Sequence, residues 1–157
     1  MTIYVFDTGA FIDLFRHYYR DRFPSLWKRF DVLIEKERIT STREVLNELQ
    51  GHDDDLSIWC KEHRGLFTIP SPDEMGVVTK IFAVTHFQTM IRQRERIKGK
   101  PVADPFVIAR AMCLKNACVV TMEHNSPNAA KIPNVCELFK IDCTDLEGFM
   151  ERENWSF

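Results

Sequence analysis

Four carboxylates stand where the local pattern gives them little work: Asp7, Glu48 (with Glu44, one turn earlier, as its alternative), Asp104 and Glu123. Asp7 closes YVFD, a run that otherwise reads as a buried strand, and it precedes the apolar stretch GAFIDLF. An unpaired buried charge costs several kcal/mol or shifts its pKa, so the position calls for a reason. Two carboxylates about 4 Å apart repel by roughly 4 kcal/mol at an effective dielectric near 20, and four converging acids therefore need compensating positive charge. Magnesium or manganese, held by oxygen ligands, supplies that charge. One or two such ions activate water and stabilise a leaving oxygen in phosphodiester hydrolysis.

Each acid also has an ordinary explanation. Asp7 is a suitable N-cap for a helix beginning near Gly9, and Asp104-Pro105 reads as an N-cap followed by Pro at N1. Glu44 falls at N3 of Ser41-Thr42-Arg43-Glu44, a capping-box pattern that already employs its side chain. Glu48 has no such assignment, and Glu123 taken alone reads as a surface residue.

The elements that must position these acids follow from periodicity. Thr2 to Phe6 and Ala117 to Thr121 read as strands, with weaker strands over Arg38 to Thr40 and Ile141 to Cys143. Helices are expected from Gly9 to Phe15, from Pro24 to Ile34, from the Ser41 box to Gly51, and over Asp53 to His63. Ser71-Pro72-Asp73-Glu74 opens a long helix to about Arg94. A buried helix starts at Asp104-Pro105, a short one covers Pro133 to Phe139, and Thr144-x-x-Glu147 caps a final one. Alternating strands and helices imply an α/β fold with a parallel sheet, since parallel neighbours need crossover connections. Ligands in such sheets collect at the carboxyl ends of the strands, where Asp7 and Glu123 fall.

At 157 residues, with 45% hydrophobic content, the chain fits a single domain spanning 1–157. A formal charge of -2 gives no whole-molecule attraction to polyanions, so any nucleic-acid contact must be a local patch. The five cysteines form no CxxC pair, which excludes a zinc ribbon and reads as free thiols in a reducing cytosol. The five histidines have no zinc spacing, and no Ser-His-Asp set or Gly-rich phosphate loop is present. The N-terminus has no signal-peptide pattern and no window reaches the length of a membrane span, so a cytoplasmic protein is expected.

The strand-terminal YVFDTGAFI, the N-E-L of STREVLNEL, the helix start ADPFVIARA and the strand end VVTME, in that order, resemble the PIN-domain ribonucleases. The resemblance implies a PIN-like three-layer fold, a central parallel sheet flanked by helices, whose acidic site binds magnesium or manganese to cut RNA. Carried across, the site acids are Asp7, Glu48, Asp104 and Glu123, with Thr8 and Thr121 as supporting hydroxyls. Relatives of this size resemble VapC-type toxins, which implies RNA as substrate, a small antitoxin protein as partner and a homodimer. Two positions depart from the pattern: Gly9 stands where the family often has Ser, and Glu123 where it usually has Asp. They keep open a second reading, a PIN-like module that binds RNA or protein without cutting.

An acidic pocket repels phosphate until metal is bound, so a nuclease also needs neighbouring cations. Arg92, Arg94, Arg96, Lys98 and Lys100 lie just before Asp104. Arg16 and Arg20, with His17 and Arg22, are interleaved with Tyr18, Tyr19 and Phe23, a mixture that holds phosphate and stacks unpaired bases. Either tract is also what a solvated helix end looks like. His52 beside Asp53, Asp54 and Asp55 is most simply an acid-rich helix N-terminus.

Overall fold

The computed structural model describes residues 1–50, 54–88 and 103–157. Five strands, β1 (Ile3–Phe6), β2 (Ile39–Thr42), β3 (Phe67–Thr68), β4 (Ala117–Val120) and β5 (Asp142–Thr144), form one sheet in the order β3-β2-β1-β4-β5. Every pairing is parallel, with Tyr4 opposite Ile39 on one side of β1 and opposite Cys118 on the other. Helices flank the sheet, as the alternating pattern requires: α1 (Thr8–His17), α2 (Pro24–Glu35), α3 (Arg43–Leu49), α4 (Asp55–Glu62), α5 (Pro72–Ala83), α6 (Asp104–Met112), α7 (Ile132–Phe139) and α8 (Leu146–Arg152).

The central strand explains the burial. Tyr4, Val5 and Phe6 are all buried although successive residues face opposite sides of the sheet, so both faces of β1 are covered. The Phe6 ring meets Phe11 of α1, Phe30 of α2 and Phe149 of α8 at centroid distances of 5.1, 5.7 and 5.3 Å. Aromatic side chains thus supply much of the core where these three helices meet β1. The apolar helix α6 packs against β1, β2 and β4, burying Val107, Ile108 and Ala109 completely.

Several local expectations are corrected. The Ser41-to-Glu44 capping box does not form: Ser41 lies inside β2 and donates its hydroxyl to the Phe6 carbonyl at 2.7 Å. Thr42 is the N-cap of α3 and makes no side-chain capping bond. Cross-strand hydrogen bonding has taken the hydroxyl that the local pattern assigned to the helix. At the C-terminal helix the cap is Asp145, which accepts from the Gly148 amide at 2.8 Å, while Thr144 ends β5. Ser71 does cap α5, accepting from the Glu74 amide at 3.1 Å. That helix ends at Ala83 instead of running on to Arg94. Val84 is extended, a 3-10 turn covers Thr85–Gln88, and the Gln88 side chain donates to the freed Phe82 carbonyl at 2.9 Å.

Among the described residues, no helix is long and apolar enough to cross a membrane.

Candidate functional site

The sheet order places a topological switch point between β1 and β4. The chain builds outward from β1 through β2 to β3, then returns to add β4 and β5 on the other side. In open parallel sheets the crevice at the carboxyl ends of two such strands is where ligands bind, because the two connections diverge there. Asp7 directly follows β1 and Thr121 directly follows β4.

These two residues are joined. Thr121 donates its hydroxyl to Asp7 Oδ2 at 2.5 Å, and Asp7 Oδ1 accepts from the Ala10 amide at 2.7 Å. Asp7 is therefore the N-cap of α1, as the sequence suggested, and is bound across the switch point as well. It is 5% exposed. Thr121 also accepts from the Glu123 amide at 3.1 Å, so one buried hydroxyl ties the two strand ends to the start of the following loop.

Glu48 makes the second link. Its Oε2 accepts from the Thr8 hydroxyl at 2.5 Å and its Oε1 from the Ala103 amide at 3.0 Å. Thr8 is the neighbour of Asp7 and Ala103 the neighbour of Asp104, so a single carboxylate on α3 gathers the starts of α1 and α6. Asp104 itself is not the N-cap. It is the first residue of α6, Ala103 occupies the cap position, and no side chain makes a capping bond there. Asp104 is 7% exposed. It lies in the first turn of α6, where the helix dipole favours a carboxylate.

Glu123, tied to Thr121 through its amide, sends its carboxylate to α7. Its Oε2 accepts from the Ile132 amide at 2.9 Å, at the first turn of α7, where free amides and the helix dipole favour a carboxylate. Glu44 also differs from expectation. With the capping box unformed, its carboxyl is buried, Oε1 takes a bond from Arg43 at 2.7 Å and Oε2 has no hydrogen-bond partner among the described residues. A buried carboxylate oxygen without a donor is costly, and only the structure reveals it, because the S-x-x-E pattern had assigned this side chain elsewhere.

Neutral donors answer much of the repulsion problem that the four acids raised. The Thr8 and Thr121 hydroxyls and the amides of Ala10, Ala103 and Ile132 are aimed at carboxylate oxygens. Among the described residues, no group of three or more His, Cys, Asp or Glu lies together closely enough to hold a metal ion. The donor set is of the type that suits magnesium or manganese, being oxygen-only, and a carboxylate oxygen that accepts one hydrogen bond keeps a further lone pair. By donor type Asp7, Glu48 and Asp104 suit such an ion, while their carboxylates are not drawn together closely enough to hold one as they stand, and Glu123 accepts from the first turn of α7.

Of the two basic tracts, Arg92, Arg94, Arg96, Lys98 and Lys100 lie outside the described residues. Arg16, Tyr19, Arg20 and Arg22 line a cavity of about 840 Å³ along the C-terminal half of α1 and the chain after it, shared with Asp21, Asp54 and Asp55. The Arg20 guanidinium sits 4.6 Å from the centroid of the Trp27 ring. His52 and Asp53 are likewise outside the described residues, while Asp54 caps α4 by accepting from the Ser57 amide at 2.9 Å.

Fold and site together define an α/β protein with a parallel sheet and a carboxylate-lined switch point. Residues 4–157 match the family described as a domain of unknown function, DUF4411, and the chain belongs to that family. No curated protein matches the chain significantly.

Proposed function

We propose that this protein is a divalent-metal-dependent endoribonuclease of the PIN type. The observation that carries the reading is the bridging position of Glu48, whose two oxygens reach the residue after Asp7 and the residue before Asp104. Glu48 thereby ties together the segments next to Asp7 and Asp104 at a switch point, where a parallel sheet receives its ligands, although the three carboxylates are not gathered into one group as they stand. The same acids match, in order, those of the family that the sequence resembles.

In this reading Asp7, Glu48 and Asp104 hold magnesium or manganese, and Glu123 is the fourth acid. The ion supplies charge neutralisation at the phosphate and a more acidic water. The chain's own contribution is orientation. Thr121 and the Ala10 amide fix both oxygens of Asp7, Thr8 and the Ala103 amide fix both oxygens of Glu48, and α6 carries Asp104 on a buried, rigid helix. Arg16 and Arg20, with Tyr19 beside them, are the described cations offered to an RNA strand. The finer assignment, a toxin neutralised by a small antitoxin protein and acting as a homodimer, extends this proposal on the resemblance alone.

A second reading is favoured by one observation, the turn of Glu123 onto the Ile132 amide. It is a domain that binds RNA or a protein without cutting. Incubating purified protein with single-stranded and structured RNA, in manganese, magnesium or chelator, separates the two. The nuclease reading expects cleavage with metal and none with chelator or in Asp7→Asn. Cleavage that survives chelation overturns the mechanism, and RNA binding with no cleavage in either metal favours the second reading.

A further inference from the structure

At the amino ends of β1 and β2, across the sheet from the acidic edge, a cleft of about 590 Å³ opens between these strands, the 3-10 turn Arg64–Leu66 and the end of α6. Its size is that of a small-molecule site. Ile34, Ile39, Leu66 and Leu114 give it apolar walls, and Arg110, Glu37 and His63 are its ionisable lining residues.

Arg110 is drawn into this wall without being filled. Its Nη1 donates to Glu74 Oε1 at 3.2 Å and its Nη2 to the Thr40 hydroxyl at 3.4 Å, both long bonds. Nε is buried with no hydrogen-bond partner among the described residues, and so is Glu74 Oε2. The contrast within the same chain is Arg38, whose three guanidinium nitrogens all donate, at 3.0, 2.8 and 2.7 Å. An arginine held for stability alone is satisfied as Arg38 is. Arg110 keeps donors to spare.

Charge decides what the cleft takes. Glu74 already answers the positive charge of Arg110, so the guanidinium lacks acceptors and not a counter-ion. With the exposed Glu37 in the lining as well, an anion would meet two carboxylates for one guanidinium, a repulsion that a neutral ligand avoids. His63 adds an acceptor. Its Nδ1 lies 2.8 Å from the Trp59 carbonyl, which can only accept, so Nδ1 holds the hydrogen and Nε2 of the neutral ring accepts. Gly65 leaves part of the wall without a side chain, and a Cβ there would meet nothing within 4 Å, which gives room for a flat ring. A donor at Arg110 and acceptors at Glu37 and His63 call for an uncharged ring that carries acceptors on one edge and N–H donors on the next.

We propose that this cleft binds the base of a free guanine nucleoside, with Arg110 and Glu37 reading its two edges. The carbonyl and N7 of guanine present paired acceptors to a guanidinium, and its N1–H and 2-amino group present donors to a carboxylate. A guanine within an RNA strand shows the same edges, but the strand brings phosphates toward Glu37 and Glu74, so the free nucleoside is the better match. The inference is independent of the nuclease reading, since no residue lining the cleft is among the acids or their donors.

The test titrates guanosine against the full chain and follows binding by saturation-transfer NMR of the nucleoside. Saturable binding by the wild type is expected, with adenosine weaker by roughly tenfold or more, because its amino group replaces the carbonyl that Arg110 reads. Glu37→Gln and Arg110→Lys should each weaken guanosine by a similar factor. Gly65→Phe should abolish binding by filling the cleft from a position where the fold leaves room, with an unchanged thermal midpoint as the check on folding. No guanosine binding by the wild type, adenosine bound as tightly as guanosine, or full affinity in Gly65→Phe would each overturn the proposal. Tighter binding of the trinucleotide GpGpG than of guanosine would overturn it in favour of a strand. Glu37 is exposed, so Glu37→Gln keeps the test decisive even where Arg110→Lys folds poorly, and undiminished affinity in that variant would contradict the assignment.

Discussion

Two glutamates at opposite edges of the sheet are held in opposite ways. At the amino edge, Glu153 receives two bonds from Arg38, at 2.8 and 2.7 Å, and a third from the Tyr4 hydroxyl at 2.6 Å. Arg38 also donates from Nε to the Thr2 carbonyl at 3.0 Å, so the network pins the C-terminal helix to the starts of β1 and β2. At the carboxyl edge, Glu48 receives one hydroxyl and one amide. A bidentate guanidinium cancels a carboxylate's charge and fills its lone pairs, closing the site to other ions. A hydroxyl and an amide orient a carboxylate and leave its charge in place. The first arrangement serves stability, and the second is what a cation site needs.

Breaking the closed edge should cost the most. The Arg38 and Glu153 side chains are only 11% and 12% exposed, so Arg38→Ala strands a largely buried charge, and about 3 kcal/mol of stability should be lost in denaturant unfolding. Glu48→Gln should cost less than about 1 kcal/mol, because the amide still accepts one of the two bonds. Equal losses in the two variants would dissolve the contrast between the edges.

Thr121→Val should fall between them. It removes the donor to Asp7 and the acceptor for the Glu123 amide, leaving buried groups unsatisfied at a cost of roughly 1–3 kcal/mol. In the nuclease reading it also lowers cleavage, which the Arg38 variant should do only through unfolding. Cleavage rates measured well below each variant's thermal midpoint separate the two effects.

The pH dependence sharpens the comparison further. Burial raises the Glu153 carboxyl, but the bonds from Arg38 and Tyr4 and the guanidinium charge outweigh it and hold its pKa below the ordinary 4.5. A pKa lowered by folding gives stability that is complete above the ordinary value and is lost as pH falls through the folded one. Unfolding midpoints should therefore drop below about pH 4.5, and the drop should be shallower in Arg38→Ala. An unchanged slope would assign acid sensitivity to other carboxylates.

The smallest effect is expected at Gly9. A Cβ there would lie 3.8 Å from Asp7 Oδ1, an ordinary contact, so Gly9→Ser should shift stability by no more than about 0.5 kcal/mol. Gly148 makes the contrasting case, since a Cβ there would collide with the Thr144 hydroxyl, which would have to move. A Gly9→Ser chain that folds normally allows the effect of a hydroxyl at this position on cleavage to be read directly.

Much of this architecture was legible in the chain. The β-branched and aromatic runs at Tyr4 to Phe6 and Ala117 to Val120 became the central strands, and Pro24, Pro72 and Pro105 each sit in a first helical turn. What failed was the reading of short polar patterns. Ser41 and Thr144 fit capping boxes by spacing, yet one donates across the sheet and the other ends a strand. Tertiary partners outbid local ones for the same hydroxyls. Asp7 was visible as a misplaced charge, but its bond to Thr121 joins residues 114 positions apart, and no local pattern encodes that. The Arg38 and Glu153 pair, 115 positions apart, was silent for the same reason.

The most direct test of the central claim is manganese binding by the folded protein, followed by loss of the free-ion electron paramagnetic resonance signal in the wild type, Glu48→Gln and Asp104→Asn. The account predicts saturable binding by the wild type, weakened roughly tenfold or more in each variant, a difference of about 1.4 kcal/mol or greater. Binding of equal strength in all three proteins, or none in the wild type, would contradict it.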